Sequence, residues 1–329
     1  MRELIVNSNE AGQRLDKLLG KYLNLANKSF IYKMLRKKNI TVNDKKCDGS
    51  EKLHEGDVVK LWLAEETLEK FSQVKVQNVQ SPKKLAVIYE DDHILLINKP
   101  AGMLSQKAKE TDVSLVEHII HYLLDSGQLR TEELRSFKPS ICNRLDRNTS
   151  GLVVAGKSLP GLQIMAEVFK DRSIHKYYQC VVKGNLREKQ LITGFLTKNE
   201  RTNQVSIQKK ETPGSSPIMT EYEPLAHRDN YTLLRVTLIT GRTHQIRAHL
   251  ASIGHPIVGD YKYGDENVNE DAKRSYRISS QMLHSYEITF PDLPEPIKYL
   301  TGKTFYAPLP ETFYRIFEKR TKETERNRG

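Results

Sequence analysis

One carboxylate stands out in the segment NRLDRNTSG, residues 143–151, because Asp146 lies between Arg144 and Arg147. An exposed ion pair with either arginine would contribute only about 0–1 kcal/mol. A carboxylate can instead act as a nucleophile or stabilise a cationic sugar carbon, as in glycoside chemistry. A nearby arginine would keep that carboxylate ionised and fix its direction. No second carboxylate is obvious here, so hydrolysis by a carboxylate pair is not indicated.

Two adjacent tyrosines occur in a second segment, HKYYQCVVKG, residues 175–184. A tyrosine beside a carboxylate could stack on a base or exchange a proton with it. Chemistry on a base within RNA also requires that base to leave its stack, and an arginine beside the carboxylate could help to hold it out. All these residue types also occur in purely structural settings, so their spacing alone does not decide.

Other chemistries are poorly supported. His244 and His249 are five residues apart, so they do not share a helix face as the histidines of a zinc HExxH pair do. His255 is not at a spacing typical of a third zinc ligand either. Ser150 lies in Thr-Ser-Gly, which is not the Gly-x-Ser-x-Gly of a nucleophile elbow. The Gly-Lys-Ser at 156–158 lacks the upstream glycine of a phosphate-binding loop. We therefore expect neither a metal site nor a nucleotide cofactor.

The charge of the chain points to an anionic partner. Its 329 residues carry a net charge of +11, and an excess of this size attracts polyanions over long range. Nucleic acid is the commonest such partner and a membrane surface the next, while solubility alone is the simpler explanation. Residues 1–63 contain 13 basic and 8 acidic side chains, a net +5, so the first fifth of the chain carries nearly half the excess.

Cysteine usage and the first residues favour a cytoplasmic protein. Cys47, Cys142 and Cys180 form no CxxC pair, and their odd number suits a reducing compartment. The opening residues lack the apolar core of a signal peptide. No run approaches 18 apolar residues, so we expect no membrane span.

The first 65 residues are predicted to form a small basic module. Leu15, Leu18, Leu19 and Tyr22 have the i, i+3, i+4, i+7 spacing of an amphipathic helix. Residues 27–39 predict a second helix with Ser29 as its N-cap. The last turn of this helix contains Arg36, Lys37 and Lys38, and short strands with Asn-Asp and Gly-Asp turns follow.

The remaining chain is predicted to be a separate α+β domain. Residues 66–85 are polar, lack a firm period and are interpreted as a linker that could contain a strand. Over 86–315, several strand-like runs surround two helical stretches, at 114–127 and 159–172, without regular βαβ alternation. This pattern favours a mixed, mainly antiparallel sheet with flanking helices. The charged residues 316–329 are expected to be disordered.

Taken in order, these segments resemble the RluA/RluC/RluD family of pseudouridine synthases. The family's H-R-L-D-x-x-T-S-G motif is matched by 143–151, with Asn143 in place of histidine; its K-x-Y motif by 176–178; and its G-R-T-H-Q-I-R-x-H motif by 241–249. The first 65 residues look like an S4 RNA-binding domain. The resemblance covers residues from about 12 to 305, and the ordered set of motifs is highly specific.

The resemblance implies roles for these residues. Asp146 would be the catalytic aspartate, which attacks or stabilises C1′ of a uridine while its N1–C1′ bond breaks and C5 becomes joined to C1′. Tyr178 would pack on the base and is a candidate for proton abstraction, with Tyr177 as its competitor, because the two face opposite ways in a strand. Arg247 would pair with Asp146, and Arg144 would fill the gap left by the flipped base. Neither cofactor nor metal is implied.

Further residues are expected to shape the loop or contact RNA. Thr149, Ser150 and Gly151 would shape the catalytic loop, and Asn143 is expected to orient it, as asparagine forms hydrogen bonds but carries no proton charge. Phosphate contacts would raise affinity without specifying sequence. The expected RNA-binding residues are Arg144, Arg147, Lys33, Arg36, Lys37, Lys38, Arg242 and His244.

The substrate implied by the S4-like module is large-subunit (23S) ribosomal RNA. A tRNA-directed synthase and a non-catalytic RNA-binding or ribosome-assembly factor are the alternatives. The second alternative would be favoured by loss of the aspartate, the tyrosine or the arginine, and all three are present. We expect a monomer, because the basic surface has to stay free for RNA, and no membrane partner.

Overall fold

The structure is a computed structural model that describes residues 1–7, 9–73 and 84–317. The strands of these ranges are β1 (Arg2–Ile5), β2 (Ile40–Val42), β3 (Lys45–Lys46), β4 (Val58–Leu61), β5 (Val87–Glu90), β6 (Ile94–Lys99), β7 (Ser140–Ile141), β8 (Ser150–Gly156), β9 (His175–Lys183), β10 (Gln190–Asn199), β11 (Gln204–Gln208), β12 (Ser216–Arg228), β13 (Tyr231–Leu238), β14 (Leu283–Thr289) and β15 (Thr304–Tyr306). The α-helices are α1 (Leu15–Tyr22), α2 (Lys28–Arg36), α3 (Glu65–Phe71), α4 (Leu115–Asp125), α5 (Leu159–Asp171), α6 (Gln245–Ser252), α7 (Glu266–Tyr276) and α8 (Glu311–Phe317).

The N-terminal module is a small antiparallel sheet packed against α1, α2 and α3. Its strand order is β1-β4-β2-β3, and its core includes Leu15, Leu19, Leu35 and Leu61. The predicted amphipathic face of α1 is confirmed, because Leu15, Leu18, Leu19 and Tyr22 are all buried. The hydrophobic burial of this face holds the helix on the sheet.

The predicted start of α2 is wrong by two residues. Asn27 is the N-cap, and its Oδ1 accepts a hydrogen bond from the Phe30 backbone N–H at 2.8 Å. Ser29 lies inside the helix, because an Asn side chain one step before the first turn satisfies the free N–H groups equally well. The helix ends at Arg36, and Lys38 then adopts a left-handed conformation with φ 60°.

Helices occupy the first residues of the two segments predicted to be irregular, 66–85 and 316–329. Helix α3 covers the first part of the predicted linker, and Leu68 is fully buried in the N-terminal core. A single buried leucine does not establish a helical period, so the hydrophobic pattern could not predict this helix. Helix α8 extends through Phe317, and Ile316 is fully buried. Residues 74–83 of the linker and 318–329 of the tail lie outside the described residues.

The large domain confirms the predicted mixed, mainly antiparallel sheet. In the described ranges its strand order is β11-β10-β12-β13-β9-β14-β8-β6-β5, with β15 beside β14 and β7 beside β8. The pair β14–β8 is parallel, whereas the neighbouring pairs β14–β9 and β6–β8 are antiparallel. This arrangement places β8, β14 and β9 side by side at the centre.

The central strand β8 is buried along its whole length because both faces of the sheet are covered there. Along β8, Val153 belongs to the core that includes residues of α4, α6, α7 and α8, while Leu152 and Val154 belong to the core beneath α5. Alternate side chains of a strand point to opposite faces. A strand buried on both sides therefore reads as an unbroken hydrophobic run.

No helix in the described parts of the chain has both the length and the apolar character needed to cross a membrane.

Candidate active site

Asp146 lies in the loop that joins β7 to β8, and several hydrogen bonds hold that loop. The Asp146 carbonyl accepts from the Thr149 N–H at 3.0 Å, closing a turn immediately before β8. The Ser105 hydroxyl donates to the Leu145 carbonyl at 2.7 Å and accepts from the Leu145 N–H at 3.1 Å. The backbone on both sides of Asp146 is thus fixed, while its side chain remains 28% exposed and accessible to a substrate.

Arg247 on α6 connects Asp146 to a second carboxylate. Its Nη1 donates to Asp146 Oδ2 at 2.8 Å, across 101 residues of sequence. Its Nε and Nη2 donate to the two oxygens of Asp260 at 2.7 and 2.8 Å. A guanidinium group held by a bidentate bond on one side presents its remaining N–H in a fixed direction. Arg247 therefore orients the Asp146 carboxylate.

The charges of this triad stabilise one another. Burial alone would lower the pKa of Arg247, but Asp260 and Asp146 outweigh it and raise that pKa. Burial alone would raise the pKa of Asp260, yet the hydrogen bonds from Arg247 hold it below its usual value. Both groups are consequently charged at neutral pH.

Lys99 is hydrogen-bonded to the backbone of the loop that carries Asp146. This residue ends β6, is fully buried, and donates from Nζ to the carbonyls of Met103 at 2.9 Å, Pro100 at 3.0 Å and Arg147 at 3.1 Å. Burial lowers its pKa to about 8, and the negative charge of Asp146 partly opposes that effect. Lys99 thus joins the start of the domain to the residue directly after Asp146.

Tyr178 and Tyr177 lie on opposite faces of β9. Tyr178 is buried, and burial raises its pKa to about 12, with a smaller contribution in the same direction from the charge of Asp146. The Tyr177 ring lies on the other side, 4.1 Å from the guanidinium carbon of Arg235. Tyr178 is thus the tyrosine of this pair whose pKa responds to the charge of Asp146.

His244 lies at the start of α6 beside the carboxylate. Its Nε2 is 4.0 Å from Asp146 Oδ2, and its Nδ1 is 2.9 Å from the Tyr263 hydroxyl. The Tyr263 oxygen also accepts a hydrogen bond from the Val205 N–H, and its own proton is available to His244 Nδ1. When the Tyr263 hydroxyl donates in this way, the proton of the neutral ring is on Nε2, which faces Asp146. Burial lowers the pKa of His244, which favours that neutral form.

Ser150 and Gly151 fix the first residues of β8 rather than offering reactive groups. His284 Nε2 faces the Ala307 carbonyl at 3.2 Å, and a carbonyl can only accept, so Nδ1 accepts the proton of the Ser150 hydroxyl at 2.8 Å. Gly151 has φ 111°, and a Cβ there would lie 2.2 Å from the Ser285 carbonyl oxygen. Only glycine fits at that position.

Acidification is expected to destabilise the protein through His284. Burial lowers the pKa of this ring to about 4, against about 6.5 in the unfolded chain. The unfolded state then binds more protons than the folded state below pH 6.5, so stability is complete above that pH and is lost as pH falls toward 4. The loss between about pH 7.5 and 5 amounts to about 2 kcal/mol, measurable as the free energy of urea unfolding.

The His284→Gln variant should lose that part of the pH dependence. His54→Gln is the matched control, because the His54 side chain is 78% exposed. If His284→Gln and wild type lost stability equally on acidification, the buried neutral ring would not be responsible.

Asn143 is directed at the sheet and not at Asp146. Its Oδ1 accepts from the Val154 N–H at 2.8 Å, and its Nδ2 donates to the Leu152 carbonyl at 3.3 Å. An amide can do both at once. In this chain the residue that replaces the family histidine anchors the loop to β8.

The other predicted RNA-binding residues form two separate groups. Arg144 is exposed on the loop that carries Asp146, and Arg242 is exposed on the loop that precedes α6. Neither forms an ion pair with a described residue. Arg147 donates to the Gly102 carbonyl at 3.1 Å. The arginines that flank Asp146 in sequence are thus not its ionic partners. The second group, on the N-terminal module, comprises the exposed Lys33, Arg36, Lys37 and Lys38.

The three histidines considered as metal ligands each have a protein partner. His244 bonds Tyr263, His249 Nδ1 bonds the Thr220 hydroxyl at 3.0 Å, and His255 Nδ1 bonds the Lys183 carbonyl at 2.8 Å. No group of three or more histidine, cysteine or acidic side chains with metal-binding geometry occurs in the described ranges.

Sequence reasoning missed Asp260, Lys99, Tyr263 and His284. Asp260 and Tyr263 lie shortly after the motif at 241–249, but nothing in their spacing pairs them with Arg247 and His244. The importance of Lys99 could have been predicted from the sequence. It ends the largely apolar run ILLINK, and a lysine at the end of a buried strand requires hydrogen-bond acceptors for its ammonium group.

Comparison with known proteins gives a consistent result. Residues 93–252 match the model of the RNA pseudouridylate synthase family, and residues 13–59 match the S4 domain. Ribosomal large subunit pseudouridine synthase C of Vibrio vulnificus is 30% identical over 294 residues, covering 87% of each chain. The protein of that name from Escherichia coli is 29% identical over 299 residues, again covering 87% of each.

A solved structure has the same fold. Human RNA pseudouridylate synthase domain containing 4 superposes with a TM-score of 0.55 at 18% identity, covering 70% of this chain and 93% of that one. The similarity to the two curated relatives extends over most of the length of each chain. The chain belongs to the RNA pseudouridylate synthase family and carries an S4 domain at its N-terminal end.

Proposed function

We propose that this RNA pseudouridine synthase isomerises specific uridines of large-subunit (23S) ribosomal RNA and that Asp146 is its catalytic aspartate. The reaction class follows from the family. The observation that carries the role of Asp146 is the 2.8 Å hydrogen bond from Arg247. That bond holds an ionised carboxylate in one direction while leaving part of it exposed to the substrate.

In the proposed mechanism, the Asp146 carboxylate attacks C1′ of the target uridine or stabilises positive charge there while the N1–C1′ bond breaks. The uracil turns, C5 forms a bond to C1′, the proton on C5 leaves and N1 gains a proton. Arg144, exposed next to Asp146, would occupy the space that the flipped nucleotide vacates. Tyr178 would pack on the uracil and receive the C5 proton.

Tyr178→Phe is expected to lower kcat about 10²-fold, because it keeps the ring and removes the proton acceptor. A phenol with a pKa of about 12 is largely protonated at neutral pH. The wild-type kcat should therefore increase with pH in the alkaline range, and that increase should disappear in the variant. Single-turnover rates measured across pH test both expectations.

Tyr177→Phe is the matched control, because this ring lies on the opposite face of β9 and packs against Arg235. Its kcat and pH profile should equal those of wild type. Equal activities of Tyr178→Phe and wild type at all pH values would remove Tyr178 from the proton transfer.

Ribosomal RNA is the proposed substrate for two reasons. The Vibrio vulnificus and Escherichia coli relatives, which match over 87% of their length, are named for the ribosomal large subunit. The S4 domain adds exposed cations far along the chain from Asp146, which suits a large RNA contacted at more than one place. A monomer is proposed because both sets of cations must remain accessible to one RNA.

Carbodiimide-based pseudouridine mapping of unmodified 23S rRNA and bulk tRNA, after incubation with the purified protein, tests the proposal. A new stop in 23S rRNA that is absent with Asp146→Asn supports it. A stop in tRNA alone would replace the proposed substrate. The absence of a stop in either RNA and in ribosome-assembly intermediates would favour a non-catalytic binding factor.

A further inference from the structure

The tryptophan of the S4 domain has an exposure that packing does not explain. Trp62 is the single tryptophan of the chain and is 51% exposed. It directly follows β4, where Leu61 and Leu63 are buried and Lys60 and Trp62 point to the other side. Any polar residue would satisfy an outward position on this strand. The exposed indole at this position is accessible to a ligand.

The backbone of Trp62 is hydrogen-bonded to a turn that carries exposed cations. The Trp62 N–H donates to the Asn39 carbonyl at 2.8 Å, so its backbone lies against the turn that ends α2. Lys37 and Lys38 precede Asn39 in that turn, and Lys33 and Arg36 are on the exposed side of α2. None of these four cations forms an ion pair or a side-chain hydrogen bond with any described residue.

The cation nearest to Trp62 on its own strand is already neutralised. Lys60 Nζ contacts Asp44 at 2.7 Å and Glu3 at 3.7 Å. Around Trp62, the exposed cations without an ion pair to a described residue are therefore those of α2 and of the turn that follows it. An exposed aromatic ring with free cations at one edge is the arrangement by which proteins bind single-stranded nucleic acid, with the base on the ring and phosphates on the cations.

We infer that Trp62 is a stacking platform for an unpaired base of the RNA substrate, with Lys37 and Lys38 contacting the adjacent phosphates. This inference rests on RNA as the substrate but not on the role of Asp146. The S4 domain thereby selects unpaired RNA and does more than add non-specific affinity. Stacking tolerates any base, so the contact recognises single-strandedness and not sequence.

The single tryptophan makes the test direct. Intrinsic fluorescence of the full-length protein is measured while a short oligocytidylate is added; this RNA has no uridine, so no reaction interferes. We expect saturable quenching by the single strand and little quenching by a duplex of the same length. An unquenched signal, or equal quenching by both RNAs, would overturn the inference and leave the surface for a protein partner.

Variants separate stacking from charge. Trp62→Ala should weaken binding of a labelled oligocytidylate roughly 5- to 150-fold, and Trp62→Phe should retain most of the affinity. Ile5→Ala is the matched control, because Ile5 is an exposed apolar residue of the same sheet. Equal affinities of Trp62→Ala and wild type would overturn the inference.

The lysines are tested by salt dependence. Replacing Lys37 and Lys38 with glutamine should reduce the slope of log affinity against log salt concentration by about 1.4, the value for two phosphate contacts on a single strand. An unchanged slope would remove the lysines from the site. Asp146→Asn should retain wild-type quenching, so a failure here is distinguishable from a failure of the catalytic proposal.

Discussion

The Asp146→Asn variant is expected to lose pseudouridine formation by at least about 10⁴-fold, as enzymes do when a nucleophile that acts directly on the substrate is removed. An amide can still accept the hydrogen bond from Arg247, so the loop should stay in place. It lacks the negative charge that attacks C1′ or stabilises positive charge there. Pseudouridine mapping of a uridine-containing transcript measures the loss.

RNA affinity should be unchanged or slightly higher in this variant, since a negative charge facing the polyanion is removed. Asp271→Asn is the matched control: this carboxylate is half exposed and pairs with Arg274 at 3.0 Å, and its loss should leave kcat at the wild-type value. Full turnover by Asp146→Asn would contradict the central role given to the carboxylate.

Arg247→Met should reduce both stability and activity. Asp260 is 1% exposed, and without Arg247 it becomes a buried unpaired carboxylate, which costs about 3–5 kcal/mol of unfolding free energy. Asp146 also loses the donor that orients it, so kcat should fall at least about 10²-fold. Urea unfolding and single-turnover kinetics give the two numbers.

A double variant separates the two effects. Adding Asp260→Asn to Arg247→Met removes the buried charge, so much of the stability should return while activity stays low. Arg274→Ala is the control, because its side chain is 83% exposed and such a pair contributes about 0–1 kcal/mol. If activity recovered with stability in the double variant, Arg247 would be only a structural residue.

Periodicity predicted the elements with the strongest apolar signal. Helix α1 shows its apolar stripe, and β8 shows the nearly unbroken apolar run of a strand covered on both faces. The strands β10, β11 and β12 were not predicted, because exposed polar side chains alternate with their few buried ones. Helix α7 escaped because only Asn269 and Ala272 are buried along it, so solvent-facing polar residues dominate its sequence.

The candidate site was predictable only where residues lie inside a motif. Asp146, Tyr178 and Arg247 were identified through their segments, and the structure brings the first and last into contact. The bidentate bond to Asp260 could not be predicted, because it depends on how the turn after α6 folds back on that helix. The position of Lys99 beneath the loop likewise depends on the pairing of β6 with β8.

The pairing of strands that are distant in sequence at the centre of the sheet has a consequence for the rate of folding. Strand β8 pairs with β14, which lies more than a hundred residues further along the chain, so closing that loop has a large entropic cost before any contact compensates for it. Domains dominated by such distant pairings fold slowly. During refolding, recovery of activity should therefore follow helix formation with a delay and coincide with completion of the central sheet.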